Sequence, residues 1–253
     1  MLAELVELAP AGFEQVDGDH FVEFALYGAP GELPELPRGR ASIGGVTVEV
    51  SGSEIGDDWA SRWRDFHRPV QVGRIHVRSP WHEEATGGAE EPIDIVIDPG
   101  QAFGTGAHPT TRLCLECLQD VAPGPLADLG CGSGVLAIAA AKLGFAPVTA
   151  FDNEIAAVEA TRANAAANGV ALERVERRDL RTGPAPAADV TVANLVRPLL
   201  LEMAALMPEQ PGTLIVSGLL EGEEDEVAAA FAPFRERRRL RLQGWSALLL
   251  TRP

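Results

Sequence analysis

A seven-residue run, Asp128-Leu129-Gly130-Cys131-Gly132-Ser133-Gly134, constrains this chain more than any other feature. It follows a short apolar stretch and opens a helix-like segment, Val135 to Leu143, which predicts a strand, a glycine hairpin and a helix start in succession. Glycines at alternate positions let the backbone come within contact distance of a ligand. The helix N-terminus adds unpaired N–H groups and a partial positive charge. The dinucleotide fingerprint G-x-G-x-x-G needs glycine at position 135, but Val135 stands there and the third glycine comes one residue early. The pattern G-x-G-x-G fits a nucleoside without a pyrophosphate.

Eighteen residues after Gly134, a second apolar segment, Val148 to Phe151, ends in Asp152. Doubly wound sheets place there the acid that accepts hydrogen bonds from a ribose diol. An ordinary glycine turn with a helix-capping aspartate is the plainer alternative, and the spacing and order of the pair weigh against it. With Gly130, Gly132, Gly134 and Asp152 in these positions, the chain resembles the class I S-adenosyl-L-methionine-dependent methyltransferases. The resemblance implies an α/β fold, a Rossmann-like sheet with S-adenosyl-L-methionine as cofactor.

Composition narrows the setting. The 253 residues, 46% of them apolar, suffice for a buried core in one large domain with or without a small partner. Acidic side chains number 37 against 21 basic ones, a net charge of −16 that repels phosphate backbones and attracts basic partners. Free nucleic acid is therefore a poor substrate. The first ten residues lack a basic segment and no apolar run reaches the length of a membrane span, so a soluble cytoplasmic protein is expected. Three cysteines cannot form a disulfide framework. Cys114 and Cys117 form a C-x-x-C, yet they lie in a helical pattern with Leu113, Leu115 and Leu118, where buried structural thiols outweigh a zinc or redox reading; no metal site is expected.

Along the chain, residues 1–53 read as a small α/β lobe with a helical start, strands at Phe13 to Val16, Phe21 to Tyr27 and Val46 to Val50, and a Pro/Gly-rich passage between them. Residues 54–68 read as a linker helix with Trp59, Trp63 and Phe66 on one face, a spacing that serves core packing or a hinge. Residues 69–253 then alternate strands and helices. Strands are expected at Arg74 to Val77 and Ile93 to Ile97, separated by the acidic loop Glu83 to Glu91. Further on, helices are expected at Glu154 to Asn168, Leu199 to Met207 and Glu223 to Phe234, and strands at Leu172 to Arg177, Val190 to Ala193 and Leu214 to Ser217. Two closing strands near Arg239 to Leu242 and Ala247 to Leu250 complete a mostly parallel sheet with an antiparallel C-terminal hairpin. The arginines between Arg235 and Arg241 read as a solvated strand face rather than an RNA patch.

Upstream of the glycine motif, the segment from Asp98 to Thr111 is glycine-rich and ends at a helix start marked by Pro109 and two threonines. Phe103 reads as an apolar wall against a cofactor, and Thr111 as a hydrogen-bonding group. Asn194 ends the fourth strand on the edge where open α/β sheets bind ligands, and its amide can both accept and donate. Asp179 is a candidate partner for an adenine amino group, with a merely solvated residue as the alternative, and His108 is a candidate base.

Taken with Val192-Ala193-Asn194-Leu195, Pro198-Leu199 and the linker tryptophans, the loop Phe103 to Thr111 and the motif Asp128 to Gly134 resemble the ribosomal protein L11 methyltransferase family over nearly the whole chain. The resemblance implies an N-terminal lobe that recognises the ribosomal protein, a linker helix that lets it swing, and a domain that methylates lysine and N-terminal amino groups. It places cofactor contacts on Thr111, Gly130, Asp152 and Asn194. Glu154 stands where family members often have a second aspartate, and the lobe is short. The expected partner is a basic protein, ribosomal protein L11, met by a monomer. Another amine acceptor, an NAD-type module (disfavoured by Val135) and a cofactor-binding protein without turnover are the alternatives.

Overall fold

The computed structural model describes residues 14–17, 22–25, 39–43, 45–52, 68–83, 92–98, 104, 106–184, 186–207 and 211–253. Phe103, the helical start, the linker helix with its tryptophans and the loop from Glu84 to Glu91 lie outside these residues. The chain divides into residues 1–65 and 66–253.

In the first unit, β1 (Glu14–Asp17) pairs antiparallel with β2 (Val22–Ala25), and β3 (Gly39–Ile43) with β4 (Val46–Val50). Strand β3 falls where the sequence predicts only a Pro/Gly-rich passage. Its apolar signal is confined to Ala41 and Ile43, too weak to read alone, and pairing to the β-branched β4 makes it a strand. Ala41, Val48 and Val50 are half-buried and alternate with exposed neighbours, as one covered face requires.

The second unit holds two sheets. In the smaller, β5 (Val70–Val72) runs antiparallel to β6 (Ile75–Arg78), which is parallel to β7 (Ile93–Val96). In the larger, β8 (Leu126–Leu129), β9 (Val148–Asp152), β10 (Arg174–Arg177), β11 (Val190–Asn194), β12 (Thr213–Leu220), β13 (Arg235–Leu242) and β14 (Trp245–Thr251) lie in the order β10-β9-β8-β11-β12-β14-β13. Strand β14 is antiparallel to both its neighbours and the other contacts are parallel. The helices are α1 (Pro109–Gln119), α2 (Val135–Lys142), α3 (Ile155–Ala167), α4 (Arg197–Ala205) and α5 (Glu224–Ala230).

Central strands of such a sheet are covered on both faces, which is why β8, β9 and β11 read as nearly unbroken apolar runs. On one face Leu129, Ala193, Leu214, Val216, Leu248 and Leu250 pack with Leu200 and Met203 of α4 and Val227 of α5. The chain steps from β8 to β9 on one side, and β11 lies on the other. Strand order therefore reverses beside β8, which opens a crevice at the carboxyl ends of β8 and β11.

Asn164 of α3 and Asn168, which caps its C-terminus, tie the small sheet to this framework. Asn168 accepts from Val96 N (2.9 Å) and donates to Val96 O (2.6 Å), and Asn164 accepts from Asp98 N (3.0 Å) while donating to Ser133 O (2.8 Å) in the glycine motif. The chain entering the loop at 98 is thus fixed to the glycine turn.

Helix α5 stops at Ala230, short of the expected Phe234, because Pro233 cannot continue it. Its Glu224 is 1% exposed and accepts from Arg241 Nε (2.7 Å), Ser246 Oγ (2.8 Å) and Gly222 N (2.6 Å). Burial pushes this carboxyl up, but backbone N–H groups, Arg241 and Ser246 outweigh it and hold the group at about 2 against an ordinary 4.5. A depressed carboxyl stabilises the fold above its unfolded value and loses that contribution as pH falls toward 2. Thermal melts should therefore show Glu224→Gln lowering the melting temperature at pH 7, with the difference from the parent shrinking at pH 3. Arg238 pairs with Glu116 and Asp120, and Arg239 with Asp225 and Glu236. These arginines meet acids of their own chain. Among the described residues, no helix is long and apolar enough to cross a membrane.

Candidate functional site

Three left-handed glycines shape the floor of the crevice: Gly130 (φ 77°), Gly132 (φ 53°) and Gly134 (φ 85°). Gly130 N and Cys131 N both donate to Phe151 O (2.8 and 3.0 Å), and Gly134 caps α2. Side chains are excluded for specific reasons. A Cβ on Gly134 would stand 3.0 Å from Thr161 Cα, and one on Gly130 would run into Leu195. Thr161 also donates to Gly132 O at 3.0 Å, so α3 presses directly on the turn. Combining the left-handed φ with the backbone contact, Gly134→Ala should destabilise the fold by about 3 kcal/mol. Calorimetric melting should register this as a drop of about 6–12 °C for a domain of this size.

Asp152 ends β9 beside the turn. Its Oδ2 accepts from Gly132 N (2.9 Å) and its Oδ1 from Glu154 N (3.0 Å), which leaves each oxygen a further lone pair. One strand away, Asp128 is fully buried; Oδ2 accepts from Ala137 N (3.0 Å) in the first turn of α2, while Oδ1 has no partner. Burial first, and then the charge of Asp152, push its carboxyl up to about 7 against the pull of the Ala137 N–H. Asp128 was legible only as the first letter of the motif. Its aim at the helix start appears once α2 folds back over β8.

Across the crevice, Asn194 Nδ2 lies 3.5 Å from Thr111 Oγ1, a long contact that joins the end of β11 to the first turn of α1. Thr111 is buried and Asn194 half-buried. The loop leading into α1 is held at Gly104, whose carbonyl accepts from Ser133 Oγ (2.5 Å).

His108 and Asp179 take other positions. His108 caps α1: its Nδ1 meets Thr110 Oγ1 at 2.7 Å and accepts from Thr110 N at 3.3 Å, and its ring sits edge-on to Trp245 at 4.8 Å. Burial pushes it down to about 4, so it is neutral at pH 7 and a weak base. Asp179 is gripped by Arg181 through Nε (2.9 Å), Nη2 (2.8 Å) and the backbone N (3.0 Å), and these bonds hold its carboxyl near 2. An adenine amino group there would have to share oxygens already bound to a guanidinium. Cys114 and Cys117 are buried in α1, and burial holds both thiols protonated.

Residues 40–253 match the family described as ribosomal protein L11 methyltransferase (PrmA). The chain belongs to the ribosomal protein L11 methyltransferase family. The ribosomal protein L11 methyltransferase of Thermoanaerobacter pseudethanolicus is 35% identical over 225 residues, covering 86% of this chain and 72% of that protein. Its counterpart in Bacillus cereus (strain Q1) is 36% identical over 251 residues, covering 96% of this chain and 79% of the other. Among solved structures, the ribosomal protein L11 methylase of Lactobacillus delbrueckii subsp. bulgaricus superposes with a TM-score of 0.65 at 28% identity, over 73% of this chain and 98% of that one. Membership makes the protein a methyltransferase.

Proposed function

We propose that this methyltransferase moves methyl groups from S-adenosylmethionine to amino groups of ribosomal protein L11, with the crevice between β8 and β11 as its active site. The observation that carries the reading is the convergence there of the glycine turn, the Asp152 carboxylate and the Asn194 amide. The crevice fits the cofactor in two ways. The left-handed glycine turn presents backbone rather than side chain at the carboxyl end of β8, and Asp152 beside it keeps a further lone pair on each oxygen for the ribose hydroxyls.

When bound, S-adenosylmethionine supplies a methyl group already activated by its sulfonium sulfur, so the protein's task is to place and dry the reactants. Asp152 would hold the ribose hydroxyls, the turn at Gly130, Gly132 and Gly134 would accept the close approach, and Thr111 with Asn194 would close the opposite side. Phe103 would wall the cofactor. Asn194 would accept a hydrogen bond from the incoming amine and hold its lone pair in line. Asp179 is the weakest of the proposed contacts, and the capping role of His108 leaves Asn194 as the group to orient the acceptor.

The acceptor must be neutral. At pH 7 that costs about 4.6 kcal/mol for a lysine of ordinary pKa and about 1 kcal/mol for an α-amine. The α-amino group is therefore the easier target, and lysine needs a dry pocket that lowers its pKa. Residues 1–53 would recognise the ribosomal protein, residues 54–68 would link, and 69–253 would catalyse, the acidic chain acting as a cytoplasmic monomer on a basic partner. Mass spectrometry of L11 incubated with enzyme and S-adenosylmethionine should show added methyl groups. Unmodified L11, with heat of cofactor binding intact by calorimetry, would leave the fold assignment standing and remove the substrate.

A further inference from the structure

We propose that Gly218 and Leu195 are positioning residues that set Asn194 against the glycine turn, an inference that rests on the reading of Asn194 as the amine-orienting group. Leu195 follows Asn194 and is held from two sides by left-handed glycines. On the backbone side, strand β12 bulges between Ser217 and Leu219, with Gly218 at φ 88°. A Cβ on Gly218 would stand 2.7 Å from the Leu195 carbonyl carbon and 3.1 Å from its nitrogen, and closer still to its oxygen. On the side-chain side, Leu195 fills the space that a Cβ on Gly130 would need, with Cγ at 3.3 Å.

Strand β12 resumes pairing with β14 at Leu219 and Leu220 one residue out of the earlier register, so Gly218 is the extra residue in the ladder, next to the end of β11. Bulges of this kind re-aim neighbouring groups and are frequent beside active sites. Here Ser217 is the register partner of Asn194; its carbonyl accepts from Leu195 N (3.0 Å) and its hydroxyl donates to Ser246 O (2.9 Å), which anchors the strand just before the bulge. Immediately after that anchor, Gly218 makes the room into which the Leu195 peptide settles. The Leu195 side chain then reaches the first glycine of the cofactor turn. The acceptor-side amide and the donor-side turn are thereby spaced by a single residue clamped at both ends, and the spacing fixes the in-line geometry of transfer.

The test compares Gly218→Ala, Leu195→Ala and Asn194→Ala, singly and as pairs, in the full chain, with turnover of L11 at saturating S-adenosylmethionine and the side-chain amide NMR resonance of Asn194, identified by its loss in Asn194→Ala. Gly218→Ala should lower kcat about 30-fold with KM for L11 within about threefold, and in the Asn194→Ala background should lower it no more than about threefold further. The Asn194 resonance should shift in Gly218→Ala and in Leu195→Ala. Fully multiplicative losses, or an Asn194 resonance that stays in place, would overturn the proposal. Should Gly218→Ala fail to fold, Leu195→Ala decides alone, since it leaves the backbone and opens only the space over Gly130: a shifted resonance with about tenfold weaker S-adenosylhomocysteine binding supports the clamp, and no change in either overturns it. Normal turnover by Asn194→Ala would sink the orienting role of that amide, and the resonance shift would still decide the clamp.

Discussion

Asp152→Ala is expected to weaken binding of S-adenosylmethionine and of S-adenosylhomocysteine by about 100-fold or more, the largest loss from any single change at the cofactor side of the crevice. Hydrogen bonds to a charged group contribute about 1.5–3 kcal/mol each, and a ribose diol offers two. The same carboxylate also receives Gly132 N at 2.9 Å, so its removal frees the middle of the glycine turn as well as losing the sugar. Asp152→Asn keeps the shape and one acceptor oxygen, and should fall between the parent and the alanine variant. Because Asp152 is half-buried at a strand end, the fold should survive both changes. Calorimetric titration with S-adenosylhomocysteine measures the effect directly; an alanine variant binding within threefold of the parent would rule out the carboxylate as the ribose acceptor.

What could be read from the sequence, and what could not, follows from the range of the interactions involved. The glycine turn, β8, α2, β9 and the placing of Asp152 depend on residues close together in the chain, and the observed α2 (Val135–Lys142) and β9 (Val148–Asp152) agree with the expected segments to within a residue. Strands β3 and β5 were missed because neither carries enough apolar alternation by itself; each exists through pairing with a stronger neighbour. Thr161, Asn164 and Asn168 escaped for another reason. They lie along a helix and at its C-cap, the helix pattern predicts a buried face, and nothing local says that this face meets the glycine turn and β7. His108 illustrates the reverse error. A histidine in a glycine-rich loop beside a cofactor strand suggests a base, yet its position directly before Pro109 is that of a helix cap, a signal present in the sequence and fulfilled in the structure. Gly218 was invisible, because the expected strand stops at Ser217, whereas β12 runs through a bulge at Gly218 to Leu220 and only the fold shows which neighbour needs the room.

Asn194→Ala should lower kcat by about 100-fold while changing S-adenosylhomocysteine affinity by less than about fivefold, the pattern of an interaction made chiefly in the transition state. Thr111 is the reason the amide can do this. With Nδ2 placed by Thr111 Oγ1, the carbonyl oxygen of Asn194 would be the atom that accepts from the amine, and it cannot take its proton. Asn194→Asp separates orientation from charge. An aspartate keeps the acceptor oxygen but adds a negative charge that favours the ammonium form of the substrate, raising the pKa of the bound amine and leaving less of the reactive neutral form at pH 7. Its turnover should therefore be low at pH 7 and climb with pH further than that of the parent, whereas Asn194→Ala should stay low throughout. Pre-steady-state methylation of L11 between pH 7 and 9.5 distinguishes the two. Parallel pH profiles for the parent and Asn194→Asp would mean that the amine does not meet this side chain in its reactive state.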